Sequence, residues 1–148
     1  MTFHSKIDRF YIIFNSIALL VVAIACFFPY FIEEVPAMAS VILIGTFVLS
    51  AGFLLWMLFD IRYQIEPDHL FVKAGPLKKR IRYEEISRVS PTRDVFTGMR
   101  MLSSRDAVEI FYRSAFMGSV KISPSEKERF LTELKKHVPE SKFHKTSY

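Results

Sequence analysis

The run Lys78-Lys79-Arg80-Ile81-Arg82, followed by Arg88, carries the one arrangement in this chain whose residue types and spacing suit binding. On an extended strand alternate side chains share a face, so Lys78, Arg80 and Arg82 form a row of cations. Lipid phosphate is the matching ligand, at about 1 kcal/mol for each Lys or Arg near an anionic leaflet. The same row on an edge strand has a second meaning, because charged side chains there block pairing with another sheet. A second candidate surface is apolar. Val95, Phe96, Met99, Met101 and Leu102 cluster in one connection, and Phe116 and Met117 sit in another turn. Exposed, Phe96, Met99, Met101, Phe116 and Met117 would grip a membrane or a partner protein; buried, they would complete a core.

Other chemistry finds less support. His4, His69, His137 and His144 lack the close spacing of metal ligands. Ser103, Ser104 and Asp106 have no nucleophile-elbow pattern around them, and local turn capping is the expected role. Glu84 and Glu85 are adjacent, so on a strand they would point to opposite faces and could not work as an acid and base pair. Five glycines form no phosphate loop, and the single cysteine, Cys26, allows no internal disulfide. The expectation is no catalytic residue, no metal, no cofactor and no enzyme.

The elements that must hold these residues begin with two uncharged apolar runs, Phe10 to Ile32 and Ala37 to Phe59. Each would rise about 35 Å as a helix, against a hydrocarbon core of about 30 Å, which implies two membrane-spanning helices. A cleaved leader is the competing reading, from the basic residues before the first run and the small-residue pattern Ala37-Met38-Ala39. The first run exceeds an ordinary signal core of about 7 to 15 residues and opens straight into a second, which favours spans. Asn15 and the small residues Gly45, Ser50, Ala51 and Gly52 are expected to support close helix packing. Transport is disfavoured, since neither run holds an ionisable residue.

Charge orients the pair. Lys6 and Arg9 precede the first run, Arg62, Lys73 and the basic row follow the second, and the link holds only Glu33 and Glu34 before Pro36. The excess of cations at both outer ends places both termini in the cytoplasm of a multi-pass cell-membrane protein. The organisation is then 1–9 as a cytoplasmic N-terminus, 10–32 and 37–59 as spans, and 33–36 as a short external loop. Residues 60–139 form one cytoplasmic domain and 140–148 a flexible tail. The net charge of +5 would also suit nucleic acid. A bilayer tether gives juxtamembrane cations a simpler purpose, and no nucleic-acid partner is expected.

Beyond Phe59 the period changes. Ile61, Tyr63 and Ile65 alternate with Arg62, Gln64 and Glu66, which is a strand with one buried face. Pro67-Asp68 turns the chain into His69 to Ala74, and Gly75-Pro76 into a short strand with Ile81 and Tyr83, giving a meander. Ile86 to Ser90, Ala107 to Tyr112 and Ser119 to Ile122 follow, for six or seven strands in all. Ser123-Pro124-Ser125-Glu126 reads as a capping box opening a helix, with Phe130, Leu131, Leu134 and Val138 as its apolar stripe.

These elements imply an α+β chain: a two-helix transmembrane hairpin, then an antiparallel β sandwich or barrel capped by one C-terminal α-helix. The residues resemble one family at this point. Ile65-Glu66-Pro67-Asp68-His69-Leu70, Gly75, Ile81 to Val89, Ser103 to Tyr112 and Ile122 to Leu131 are similar in order and spacing to the bacterial pleckstrin-homology-like (PH-like) domains formerly catalogued as domains of unknown function. The resemblance implies short bacterial membrane proteins with N-terminal helices, a sublancin immunity protein among the relatives, and it carries no catalytic residue. The expected function is a non-enzymatic module at the inner leaflet whose partners are the lipid bilayer and a membrane protein or a second copy. Bacteriocin immunity or envelope-stress protection, and an accessory subunit of a membrane enzyme or transporter, are the alternatives.

Overall fold

The computed structural model describes residues 1–144. Its first element was not expected: residues 1–9 are more than a tail, because β1 (Thr2–His4) joins a sheet. Phe3 alternates inward there and packs edge-on against Phe130 at 5.4 Å. Three residues are too short for a period to show in sequence.

Asp8 then caps α1 (Arg9–Phe27), its carboxylate accepting the Phe10 N–H at 2.9 Å. The first apolar run does not stay α-helical to Ile32 as expected. Pro29 removes a donor, and the chain tightens into a 3-10 turn, Phe28–Phe31. The second run forms α2 (Ala37–Phe59) with the expected bounds. Both helical stretches are long and apolar enough to cross a membrane, and only 6% of each apolar window is buried, so neither is a core helix of the fold. They meet through Phe27 and Phe47, ring centroids 5.4 Å apart. Two packing expectations are corrected here. A Cβ added at Gly45 or Gly52 would meet nothing within 4 Å, so these glycines do not mediate close approach. Asn15 satisfies its amide on Tyr11 O in its own helix, at 2.9 Å.

Two four-stranded sheets follow from the alternating segments. The first runs β1-β2-β3-β4, with β2 (Ile61–Ile65), β3 (His69–Ala74) and β4 (Leu77–Arg82) as the expected antiparallel meander. Tyr83, Glu84 and Glu85 leave the strand for a 3-10 turn, so the two glutamates are not strand neighbours. The second sheet runs β5-β7-β8-β6, with β5 (Ile86–Thr92), β6 (Met99–Met101), β7 (Ala107–Tyr112) and β8 (Ser119–Ile122). β6 pairs parallel to β8, which a pattern of local alternation does not signal. The described residues therefore hold eight strands where six or seven were expected.

The two sheets enclose one core in which Tyr63, Leu70, Ile81, Ile86, Ile110 and Ile122 are fully buried. α3 (Lys127–Lys135) covers it with Phe130 and Leu134, and Val138 just beyond. At roughly 1.5 to 3 kcal/mol for each fully buried large apolar side chain, this stripe accounts for why the helix docks. The expected capping box is not used. Ser123 is buried in a hydroxyl cluster described below, and Glu126, which precedes α3, makes no side-chain cap. Nor is the whole of 140–148 a loose tail. Glu140–Lys142 forms a 3-10 turn, Phe143 bridges to Val89, and His144 donates its N–H to Val89 O at 2.8 Å. Residues 145–148 of that expected tail lie outside the described residues.

Candidate membrane-facing site

The end of the domain to which α1 and α2 join, called here its base, is built by two aspartates. Asp8 accepts N–H groups from Phe10 and Arg105, the second at 3.2 Å, and donates its own N–H to Ser103 O at 3.0 Å. The Phe10 and Arg105 amides hold its carboxyl below the usual carboxylate range. Asp60, just after α2, pairs with Lys73 Nζ at 2.6 Å and Arg62 Nε at 3.4 Å, and accepts the Trp56 indole N–H at 3.1 Å. Its carboxyl is likewise lowered, chiefly by Lys73. The Gly75 N–H reaches Asp60 O at 2.9 Å, and at φ +55° a Cβ on Gly75 would stand 3.3 Å from Met57 Cα. The β3–β4 turn thus abuts the last turns of α2.

Behind this base the N-terminal segment is woven into both sheets. Tyr63 Oη donates to Met101 O at 2.6 Å and accepts the Ser123 N–H at 3.1 Å. Ser123 Oγ accepts the Ser103 N–H at 3.0 Å and lies 2.9 Å from Ser5 Oγ, while Ser103 Oγ donates to Lys6 O at 3.0 Å. Burial pushes the Tyr63 phenol up to about 12. Ser104 caps its own turn by accepting the Asp106 N–H, as expected, whereas Ser103 serves this distant cluster.

The candidate residues fall into three groups. Lys78, Arg80 and Arg82 do share the outward face of β4, and β4 is an edge strand. Lys78 lies near the base, while Arg82 is about 13 Å further along the strand, beyond a screening length of about 8 Å at physiological salt. Arg80 and Arg82 line an open groove of about 880 Å³ with Asp68, His69, Glu84, Glu85 and Ser114, so carboxylates offset their charge. Arg88 is on β5 with its guanidinium 5.7 Å from the Phe111 ring. The four cations do not form one patch.

The apolar candidates also divide. Met101 is fully buried and Met99 packs against the core, so neither is available as a contact. Phe96 is 62% exposed and stands edge-on to Phe10, centroids 6.0 Å apart, at the base. Phe116, 91% exposed, and Met117 occupy the β7–β8 turn. β7 starts at the base, where Ala107 packs near Phe10 and Tyr11, and its far end is about 17 Å away. Phe96 and Phe116 therefore sit at opposite ends.

Sequence reasoning missed Lys121, which is 2% exposed with its Nζ 3.0 Å from Asp94 Oδ2 and 2.9 Å from Thr97 Oγ1. Bonds from Thr97, Lys121 and the Phe96 N–H keep the Asp94 carboxyl well below the usual range. It also missed Leu77, exposed beside the turn at α2. A lysine inside a strand and a leucine next to a proline turn carry no local signal of either role.

A family model described as the bacterial PH domain matches residues 61–138. The uncharacterized protein YyaB of Bacillus subtilis (strain 168) is 36% identical over 87 residues, which is 59% of this chain and 59% of that protein. The match thus spans about three fifths of the length of that relative. No solved structure matches. The family match begins at β2, so β1 and the two long helices lie outside it.

Proposed function

The chain belongs to the bacterial PH domain family, and from that footing we propose that it is a membrane-anchored, non-enzymatic binding module whose α1 and α2 cross the cell membrane as a hairpin. The observation that carries this reading is the double attachment. Asp8 bonds the start of α1 to residues 103–105, and Asp60 bonds the end of α2 to Lys73 and the β3–β4 turn. A bilayer around the helices then holds the domain against one leaflet without a free linker. Cations near both outer ends of the hairpin and acids in its link favour the cytoplasmic leaflet. A reporter fused after Tyr148 tests this, with activity expected only inside the cell; labelling of that fusion by a membrane-impermeant reagent in intact cells would refute the orientation.

A protein partner, as for an accessory subunit, is favoured by one observation, the exposed Phe116 and Met117 at the far end of the domain. Purification in mild detergent with a partner that is lost on changing Phe116 and Met117 to Ser supports it. Protection against a bacteriocin would be one use of such a module, and unchanged peptide sensitivity after gene deletion would remove it.

A further inference from the structure

The loop between β5 and β6 is held more firmly than an incidental connection requires. Lys121 reaches the loop from β8 as an almost fully buried lysine and spends its ammonium on Asp94 and Thr97. Asp94 Oδ1 accepts the Phe96 N–H at 3.1 Å, the Asp94 N–H is taken by Thr92 Oγ1 at 3.2 Å, and Gly98 turns at φ +76°. Taking a lysine out of water is costly, so the ion pair and its hydrogen bonds must offset that cost. What this clamp displays is an exposed phenylalanine. Val95, just before it, is buried with Leu102 and Ala107 against Phe10 and Tyr11, at the start of α1.

Across the base, Leu77 is 44% exposed beside the turn that abuts α2. Phe96 and Leu77 thus flank the two points where the chain enters its long apolar helices. The acids near them are each partnered: Asp8 by the Phe10 and Arg105 N–H groups, Asp60 by Lys73 and Arg62, and Asp106, which shares a surface with Arg93 and Arg105, by Lys127. Asp94 is neutralised internally by Lys121, Arg93 and Lys78 are exposed, and Arg105 lies 5.0 Å over the Phe10 ring. An apolar tip ringed by cations and continuous with membrane-length helices matches the headgroup and upper acyl region of an anionic bilayer.

We infer that the Lys121–Asp94–Thr97 clamp presents Phe96, together with Leu77, as an interfacial anchor that seats the base of the domain in an anionic lipid surface. The inference rests on the reading that α1 and α2 cross the membrane. It assigns Lys78, Arg93 and Arg105 to the phosphate level and leaves Arg80 and Arg82 below it.

Trp56 is the single tryptophan, which makes fluorescence a direct test on the full chain. The protein is reconstituted into vesicles of phosphatidylcholine and phosphatidylglycerol, with and without phosphatidylcholine brominated in the upper acyl chain. The unaltered chain reports α2 through Trp56, and two further chains carry Trp56→Phe with either Phe96→Trp or Phe116→Trp. Quenching of Phe96→Trp by brominated lipid with shielding from aqueous acrylamide is expected, and the reverse for Phe116→Trp. Equal acrylamide quenching at both sites, or shielding at 96 without lipid quenching as a covering protein would give, overturns the inference while Trp56 remains lipid-quenched. Loss of lipid quenching at Trp56 itself removes the spanning reading, and the anchor with it. Adding Lys121→Met to Phe96→Trp removes the buried charge without stranding it, and should abolish lipid quenching at 96; retained quenching would exclude the clamp.

Discussion

Ser123 donates its N–H at 3.1 Å to the Tyr63 hydroxyl, which donates in turn to Met101 O at 2.6 Å. One phenol therefore joins the first sheet, the second sheet and the segment leading to α3. Tyr63→Phe keeps the ring and removes these bonds, together with the one to Ser5 Oγ at 3.2 Å, and takes this partner from the buried Ser123 N–H. A loss on the order of 1 to 3 kcal/mol is expected for a group so stranded. Thermal unfolding of the full chain in detergent measures it, and a midpoint equal to that of the parent would contradict the role.

The same phenol makes stability sensitive to alkali. Burial raises Tyr63 to about 12, and raises Tyr83, which donates to Glu66 O and His69 O, to about 12 as well. An unfolded tyrosine loses its proton near pH 10, so between about 10 and 12 the unfolded chain binds fewer protons than the folded one. Stability is then complete below about pH 10 and falls as pH rises through the folded values. Tyrosinate absorbance should appear together with loss of the far-ultraviolet helix and sheet signal, and Tyr63→Phe should flatten that pH dependence. Ionisation of all tyrosines near pH 10 with the fold intact would count against it.

Gly75 is where the domain touches α2. A side chain there meets both a left-handed φ of +55° and the Met57 backbone at 3.3 Å, and the backbone cannot rotate away. Gly75→Ala should cost about 1 to 2 kcal/mol from the dihedral alone. It should also raise hydrogen exchange at the Gly75 amide, which now bonds Asp60 O. Unchanged exchange there would mean the turn and helix move together.

Much of this fold was legible because burial on one face leaves a period. Ile61, Tyr63 and Ile65 face inward as their alternation requires, and Leu70 and Val72 follow suit. The apolar stripe of α3 was equally plain. What failed was local chemistry overruled by distant partners. Ser123-Pro124-Ser125-Glu126 spells a helix start, yet Ser123 is taken by Tyr63, Ser103 and Ser5, and α3 begins only at Lys127. Phe96 and Phe116 look alike in sequence, and only the course of β7 puts them at opposite ends of the domain. Lys78, Arg80 and Arg82 share a face as strand alternation requires, but their neighbours Glu84 and Glu85 belong to a turn that no alternation could place.

The row still has a purpose that its position supports. β4 is an edge, and Lys78, Arg80 and Arg82 stand on its outward face. Charged side chains at an edge oppose pairing with a second sheet. Replacing all three by Thr keeps strand propensity and removes the charge, so larger species should appear on sizing of the detergent-solubilised chain. A profile identical to that of the parent would leave edge protection without support.

The N-terminal strand sets the last expectation. Phe3 is 4% exposed against Phe130, and Ser5 bridges the hydroxyl cluster, so residues ahead of the first long helix complete the domain that follows the second. Phe3→Ala should cost about 3 to 5 kcal/mol, a large part of the 5 to 15 kcal/mol that holds a domain together. Ser5→Ala removes hydroxyl contacts to Ser123, Tyr63 and Ser103 and no core volume, and should cost less. Limited proteolysis of the full chain resolves the two: cleavage within β2 to β4 should rise steeply for Phe3→Ala and modestly for Ser5→Ala. If Phe3→Ala resists protease as the parent does, β1 is an ornament on the sheet. If it does not, a fragment starting at residue 60 lacks part of its own fold, and binding tests on this domain require the residues before it as well.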